Sequence, residues 1–213
     1  MESMWHAHSG MLLKAGYVTA RAERRDFFVG INTFFYYSIH QVRNNDFIGP
    51  DVYFVNGVDG SRKRRYWATW DEDGRYPDVI IELLSDSTER TDLTTKKDLY
   101  ATRFRTPEYF CIGYEVGRLL GWRLGSGLVY EPIVPDADGR LWSEQLQLSI
   151  GPWQGSFLTE TYTWARFYDQ DGALVPTPDE AATERAEAAT ARADDLAARL
   201  AEVEAQLAAL RRS

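Results

Sequence analysis

The sequence predicts an α/β (α+β) domain with a mixed sheet flanked by helices, followed by a long C-terminal coiled-coil helix. An apolar run over residues 79–84 indicates a central strand covered on both faces. A strand–helix–strand order over residues 78–114 indicates a parallel pair with a right-handed crossover. A seven-residue repeat of apolar positions begins at Ala182 and is typical of a coiled coil.

The bulk properties restrict the class of protein. A chain of 213 residues can form one sizeable domain plus an appendage. The net charge of −8 argues against general affinity for DNA, but it does not exclude a local basic patch or a metal-bridged contact with phosphate. The single cysteine, Cys111, favours a reducing compartment. No stretch approaches the ~20 apolar residues of a membrane helix, so we expect a cytoplasmic protein without a membrane partner.

Residues 1–26 form a short N-terminal segment with a weak pattern. The apolar stripe over residues 11–22 allows a short helix at most. His6 and His8 stand two positions apart and could bind a metal, but a mobile terminus is the favoured interpretation. We therefore expect the globular domain to span residues 27–176.

The first half of that domain contains aromatic and β-branched runs. Residues 27–39 predict one strand or a hairpin. Gly49-Pro50 then breaks the chain before a short strand over residues 51–55, which carries Asp51 at its start. Turn residues over residues 56–76 predict an excursion between strands.

The excursion contains the most basic run of the domain, Arg62-Lys63-Arg64-Arg65, followed closely by tyrosine and tryptophan. Basic residues beside aromatic rings suit phosphate contact with base stacking. The alternative is a solvated loop with an aromatic side chain packed beneath it. The run is therefore a candidate for nucleic-acid binding.

Glu82 lies inside the apolar run, where an unpaired charge costs several kcal/mol at least. It must be protonated, paired with a cation, or bound to a metal. After this strand, N-cap residues precede a predicted helix from about residue 92 to 104, which Thr106-Pro107 ends. The following segments predict strands, most of them antiparallel additions to the same sheet: 109–114, 118–124, 128–134, 141–150, and a hairpin of 164–168 with 173–175.

The tail, residues 177–213, has the clearest pattern. Thr177 and Glu180 have the spacing of a capping box, with Pro178 at the first helical position. Apolar positions then alternate by four and three over four heptads: Ala182, Ala186, Ala189, Ala193, Leu196, Leu200, Val203, Leu207 and Leu210. This seam predicts a helix about 50 Å long that self-associates through residues 178–213. A solitary, solvated Ala-rich helix is the alternative.

Three side chains suggest phosphodiester chemistry: Asp51, Glu82 and Lys96. Two carboxylates suit Mg²⁺ (or Mn²⁺), a hard cation that prefers oxygen ligands. Such a metal neutralises phosphate and lowers the pKa of bound water. A lysine nearby orients or helps to deprotonate that water and offsets developing charge.

Four motifs together resemble the bacterial Uma-two family, described as putative restriction endonucleases. They are Gly49 to Val52, Tyr76 to Thr88, Lys96 four residues before Tyr100, and Thr106 to Phe110. The resemblance covers about residues 27–175. It implies a PD-(D/E)xK nuclease fold with DNA as the partner and Mg²⁺ as the cofactor.

The resemblance also implies roles for individual residues. Asp51 matches the metal-binding aspartate, Glu82 the second acid and Lys96 the lysine, while Asp78 is a less certain fourth member. The usual lysine position, two residues after the acid, is Leu84 here, so the lysine must come from the helix. Lys97, about 100° around that helix, is the fallback.

A second departure concerns the start of the chain, because the family has a longer N-terminal helical region than residues 1–26 supply. The leading hypothesis is a Mg²⁺-dependent DNA endonuclease. The alternative is a catalytically inactive nuclease-fold protein that serves as an oligomerising or nucleic-acid-binding module.

Overall fold

The structure, a computed structural model, describes residues 4–38 and 47–211. The chain separates into two compact units, one reaching Val175 and the other beginning at Pro176. In the described parts of the chain, no helix combines the length and the apolarity needed to cross a membrane.

The N-terminal helix runs over Met4–Ala20, so the expected start at residue 11 is wrong and the described part of this segment is not a mobile terminus. Trp5, Leu12 and Tyr17 are buried on one face, and the Trp5 indole N–H donates to the Thr163 carbonyl at 3.1 Å. Small and polar residues share that buried face, which is why the apolar stripe is weak in the sequence. Gly10 is one of them, and a Cβ there would lie 3.1 Å from Ile31.

The main sheet is mixed, as the sequence predicts, and has the order β1-β3-β5-β6-β7-β8. Strands β5 and β6 are parallel, and every other neighbouring pair in this sheet is antiparallel. The strands are β1 Phe27–Ile31, β2 Phe35–Tyr36, β3 Val52–Asn56, β4 Trp67–Ala68, β5 Val79–Leu83, β6 Glu108–Ile112, β7 Leu119–Leu124, β8 Tyr130–Pro132, β9 Leu141–Ser143, β10 Leu148–Phe157 and β11 Glu160–Tyr168.

The early strands differ from the expected strand or hairpin over residues 27–39. Strand β1 joins the main sheet, whereas β2 pairs in parallel with β4 in a separate two-stranded sheet. Position 39 lies outside the described residues. The excursion between strands over residues 56–76 therefore contributes β4 and a 3₁₀ turn, Thr69–Asp71.

The later strands also correct the prediction, because β9, β10 and β11 form their own antiparallel sheet. The expected single strand over residues 141–150 is interrupted by a turn that closes on the buried carboxylate of Glu108. This carboxylate accepts from the backbone N–H groups of Glu144 at 2.9 Å and Gln145 at 3.3 Å. The expected hairpin strand at residues 173–175 is reduced to one bridge, between Tyr168 and Leu174.

The two faces of the main sheet carry separate cores. One core includes the N-terminal helix, strands of the second sheet, and Val79, Ile81 and Leu83 of β5. The other includes Ile80 and Leu84 together with the middle helix, residues 89–104. Since successive strand side chains alternate, Glu82 belongs to the face of the middle helix. The predicted central strand covered on both faces is confirmed.

The middle helix begins at residue 89, three residues before its predicted start, and ends at residue 104. It alternates α turns, Glu89–Thr91 and Lys97–Leu99, with π turns, Asp92–Lys96 and Tyr100–Phe104. Arg105 follows it in the left-handed region with φ 53°.

The C-terminal helix spans Pro178–Leu210 and begins with the predicted capping box. The Thr177 N–H donates to Glu180 at 2.7 Å, and the Glu180 N–H donates to the Thr177 hydroxyl at 3.3 Å. The larger side chains of the heptad seam are exposed within this unit, from 49% at Leu207 to 72% at Leu210.

Candidate active site

The pairing of β3 with β5 brings Asp51 beside Glu82, although 31 residues separate them in sequence. Val52 pairs with Ile81, so the residue before β3 meets the end of β5. The Asp51 N–H lies 3.3 Å from Glu82 Oε2, and the Leu83 N–H donates to Asp51 Oδ2 at 2.7 Å. The antiparallel register therefore positions the first two predicted site residues together.

Glu82 is fully buried, and the middle helix supplies its polar partners. Glu82 Oε1 accepts from the Tyr100 hydroxyl at 2.7 Å and lies 3.1 Å from Lys96 Nζ. Lys96 Nζ also lies 2.7 Å from a carboxylate oxygen of Asp92, one helical turn earlier. Thus Lys96 reaches Glu82 from the helix, where the sequence predicted the lysine would have to be.

The electrostatics of this group follow from burial and from the two nearby acids. Burial, and then the charge of Asp51, raises the pKa of Glu82 to about 8, against the opposing effect of Lys96. Burial alone would lower the pKa of Lys96, but Glu82 and Asp92 outweigh it and raise that pKa above its usual value. Lys96 is therefore a fixed positive charge at neutral pH.

His6, which the sequence analysis set aside as part of a mobile terminus, lies beside Asp51. It lies on the buried face of the N-terminal helix, one turn before Gly10, with Nε2 3.1 Å from Asp51 Oδ1. Asp92 was missed as a site residue. The sequence signal for His6 is weak. Small residues on this helix face allow the helix to pack closely, and the same small residues leave no apolar stripe in the sequence.

A cavity of about 410 Å³ opens above these groups. His6, Asp51 and Lys96 line its floor, and the loop over residues 85–88 forms one side. Glu82 lies behind the floor with no exposed surface. The cavity gives a ligand direct access to Asp51 and Lys96.

The structure does not bring Asp78 or Lys97 to this cavity. Asp78 precedes Glu82 by four residues, about 13 Å along the strand, and accepts from the Asn56 N–H at 2.6 Å. Lys97 Nζ lies 3.7 Å from the ring centre of Trp122, and burial lowers its pKa. Neither side chain is in contact with the group formed by Asp51, Glu82 and Lys96.

The basic run is divided between structural and exposed residues. Arg64 makes a bidentate pair with the buried Glu72 at 2.8 and 2.9 Å, and Arg62 lies 3.3 Å from the same carboxylate. Lys63 and Arg65 are exposed. Since a charge already paired with a buried carboxylate is a poorer phosphate ligand, Lys63 and Arg65 are the stronger candidates for nucleic-acid contact.

The residues at the floor of the cavity fit a hard divalent cation. Among residues 4–38 and 47–211, no three His, Cys, Asp or Glu side chains gather into a metal-binding group. Mg²⁺ in proteins commonly takes one or two carboxylates and completes its shell with water and substrate phosphate. Asp51 at the floor and Glu82 behind it repel each other, which contributes to the raised pKa of Glu82, and a cation held by the two carboxylates would relieve that repulsion.

The described fold is a mixed-sheet domain with an acid–acid–lysine group at one cavity. The chain matches the sequence profile of the Uma2 family, described as "Putative restriction endonuclease", over residues 8–159. It belongs to this family, and membership supports nuclease activity as its general function.

A comparison with solved structures finds a putative nuclease from Anabaena variabilis ATCC 29413, with 14% sequence identity and a TM-score of 0.46. The alignment covers 68% of this chain and 75% of that one. No curated protein matches the chain.

Proposed function

We propose that the protein is a Mg²⁺-dependent DNA endonuclease that hydrolyses phosphodiester bonds with metal-activated water. The observation that carries the proposal is the convergence of Asp51, Glu82 and Lys96, from two strands and a helix, beneath one cavity. The family match over residues 8–159 supports the same class of chemistry.

Each residue has a distinct role in this proposal. Asp51 and Glu82 hold the ion, with Mn²⁺ as an alternative to Mg²⁺. When bound, the ion neutralises phosphate and lowers the pKa of a water ligand. His6 fixes one oxygen of Asp51, and the Leu83 N–H fixes the other.

Lys96 acts as a cation rather than as a base. Its pKa is raised, so it retains its proton at neutral pH. It therefore stabilises negative charge on the phosphate as that charge develops in the transition state. Of the two roles that the sequence left open for the lysine, the electrostatic role is the one these contacts favour.

The direct test is cleavage of supercoiled, linear and single-stranded DNA with Mg²⁺ or Mn²⁺, by the intact chain and by Glu82→Ala. We expect cleavage by the intact chain and almost none by the variant. An intact chain that does not cut, or a variant that cuts as well as the intact chain, contradicts the proposal.

The competing function is a nuclease-fold module that binds nucleic acid or oligomerises without catalysis. It is favoured by the complete burial of Glu82 and by its ion pair with Lys96, which occupies the carboxylate. Calorimetric titration with Mg²⁺ or Mn²⁺ separates the two functions. A binding signal that disappears in Asp51→Ala counts against the inactive module, and no signal with the intact chain supports it.

We also propose that residues 178–213 self-associate as a coiled coil. The heptad seam from Leu196 to Leu210 is exposed within its own unit, and burying such a seam against a second copy removes apolar surface from water. Sedimentation of the intact chain should give a mass larger than one chain. Leu200→Lys with Leu207→Lys should lower that mass, whereas Glu202→Ala, on the helix face opposite the seam, should not. An unchanged mass in the double variant refutes the coiled coil.

Lys63 and Arg65 are proposed as phosphate contacts outside the cavity. Each is exposed beside an aromatic segment. If each side chain contacts one phosphate, Lys63→Gln and Arg65→Gln should each reduce the slope of log K for DNA binding against log salt concentration by about one. Unchanged slopes in both variants would remove the basic run from the nucleic-acid interface.

A further inference from the structure

The cavity above Asp51 and Lys96 has an aromatic side that the proposed chemistry does not use. Trp5 and Tyr114 line it together with the charged floor, and their ring centres lie 5.5 Å apart at an angle of 60°. Trp5 is buried and anchored through its indole N–H to the Thr163 carbonyl. Tyr114 is 53% exposed, so its ring is available to a ligand within the cavity.

The backbone that presents Tyr114 is strained. The 3₁₀ turn Tyr114–Val116 follows β6 directly, and both Glu115 and Val116 adopt positive φ, 48° and 53°. A β-branched residue rarely occupies this region, and such strain persists only where surrounding contacts hold it. Here the Thr163 N–H contacts Glu115 Oε2 at 3.4 Å, and the Val116 N–H donates to the Gly113 carbonyl at 2.9 Å. The strained turn fixes Tyr114 at the rim of the cavity.

The loop over residues 85–88 lines the cavity with three hydroxyl groups and with the carboxylate of Asp86. Ser85 Oγ lies 3.2 Å from Ser87 Oγ and 3.0 Å from Thr88 Oγ1, and all three residues line the cavity. Hydroxyl groups are common donors to phosphate oxygens in nucleic-acid complexes. The exposed aromatic ring suits the base of a nucleotide, and the hydroxyl groups together with the Lys96 cation suit its phosphate.

The size of the cavity distinguishes a single nucleotide from a duplex. Its volume of about 410 Å³ is at the small end of ligand pockets, which are roughly 300–1,000 Å³. A base within a duplex is paired and stacked, and it can enter such a pocket only after it leaves the stack. An unpaired base can stack on an aromatic ring without that cost, whatever its sequence.

We propose that the cavity binds one unpaired nucleotide of a nucleic-acid strand, with its base on Tyr114 and a neighbouring phosphate between the Ser85–Thr88 hydroxyls and Lys96. The substrate class is then single-stranded or frayed nucleic acid rather than intact duplex. This inference rests on the proposed function for the fate of the phosphate, but nucleotide binding can be measured without cleavage.

The binding test uses fluorescence anisotropy in EDTA, with a labelled single-stranded DNA oligonucleotide and a blunt duplex of the same sequence whose ends are G·C pairs. We expect the single strand to bind at least about 5-fold more tightly, since stacking of one base contributes a factor of this order or larger. Tyr114→Leu should remove that preference, whereas Tyr114→Phe should retain it. Phe34→Leu is the matched control, because Phe34 is exposed to a similar degree, 51%, and does not line this cavity.

Equal binding of the two DNAs by the intact chain, or a preference unchanged in Tyr114→Leu, overturns the nucleotide subsite. A parallel cleavage assay with Mn²⁺ on both DNAs tests the proposed function separately. Tyr114-dependent binding without any cleavage leaves the subsite standing and rejects the endonuclease. Equal Glu82-dependent cleavage of the single strand and the blunt duplex, unaffected by Tyr114→Leu, leaves the endonuclease standing and rejects the subsite.

Discussion

The two ends of strand β5 each carry a carboxylate, yet their surroundings differ. At the first end, Asp78 is half-buried and accepts from the Asn56 N–H, while the Tyr17 hydroxyl donates to the Asn56 side chain at 2.7 Å. At the last end, Glu82 is fully buried beside a second acid, Asp51, and a lysine. The Glu82 end contacts Asp51 and Lys96, which line the cavity of about 410 Å³.

The difference shows what separates a structural carboxylate from a candidate catalytic one. Burial raises the pKa of both side chains, so a perturbed pKa alone does not distinguish them. The Asp78 carboxylate completes the backbone hydrogen bonding of a strand end, which stabilises the fold. The Glu82 carboxylate joins groups from another strand and from a helix, which is the arrangement that charge chemistry on a ligand requires.

The largest expected effect is on DNA cleavage, when one carboxylate charge is removed from either end of β5. Glu82→Gln should reduce DNA cleavage by at least about 10²-fold, since it removes one of two metal-binding charges. Asp78→Asn should retain cleavage within a few fold, because its amide oxygen can still accept from the Asn56 N–H. Single-turnover rates with Mg²⁺ measure both.

Circular dichroism melting controls for folding in this pair. Comparable losses of cleavage in two folded variants would show that the two ends of β5 do not differ in function. Asp78 would then be a functional residue as well.

A second comparison uses adjacent lysines on the middle helix. Lys96→Met should lower the cleavage rate by about 10²-fold, because it removes the positive charge beside Glu82. Lys97→Met should leave the rate within a few fold, since Lys97 packs on the Trp122 ring. The measurement is kcat with saturating DNA and metal. A loss in Lys97→Met that equals the loss in Lys96→Met would make Lys97 the functional lysine.

Much of this end of β5 could be predicted from the sequence. The apolar run around Glu82 made an unpaired charge there costly, and the apolar Leu84 required the lysine to come from the helix. The first argument depends on neighbouring residues, and the second depends on the family motif, which has its lysine two residues after the acid. The contact between Asp51 and Glu82 depends on strand register, which the family resemblance implied and which composition could not supply.

The contribution of His6 could not be predicted in the same way. It depends on the N-terminal helix packing closely through small residues such as Gly10, and a face of small residues carries no apolar periodicity. The second sheet was missed for a related reason. Its turn between β9 and β10 is held by the buried Glu108, and a carboxylate 35 residues from Ser143 gives no local signal.

The third comparison concerns stability and pH without metal. The pKa of Glu82 is raised from 4.5 to about 8. The contribution of Glu82 to the free energy of unfolding is therefore complete below pH 4.5 and is lost as the pH rises towards 8. Glu82→Gln has no carboxyl group at this position and lacks this loss. Between pH 5 and pH 8 the variant should therefore gain a few kcal/mol of stability relative to the intact chain, since one pKa unit corresponds to about 1.4 kcal/mol. Burial also raises the pKa of Asp78, so the pH dependence that Asp78→Asn removes has the same sign.

Urea unfolding in EDTA at pH 5 and pH 8 measures these differences. A relative stability of Glu82→Gln that does not change with pH would mean that Lys96 keeps Glu82 ionised throughout, and that the ion pair outweighs burial.

The smallest expected effect compares two tyrosine hydroxyls, one at each end of β5. Tyr100 donates to the carboxylate of Glu82, and Tyr17 donates to the neutral amide of Asn56, both at 2.7 Å. Tyr17→Phe should cost about 1 kcal/mol at any pH, the usual contribution of a neutral hydrogen bond. Tyr100→Phe should cost a similar amount at pH 5 and about 1.5–3 kcal/mol at pH 9, where Glu82 is ionised and the bond has a charged acceptor.

The same contact gives the direction of the pH dependence. The Tyr100 hydrogen bond lowers the pKa of Glu82, so the loss of this bond raises that pKa further. The stability of Tyr100→Phe should therefore fall more steeply with pH than that of the intact chain, while Tyr17→Phe runs parallel to it. Urea midpoints across pH 5–9 in EDTA test this. Parallel curves for all three proteins would show that Glu82 does not change its charge in this range.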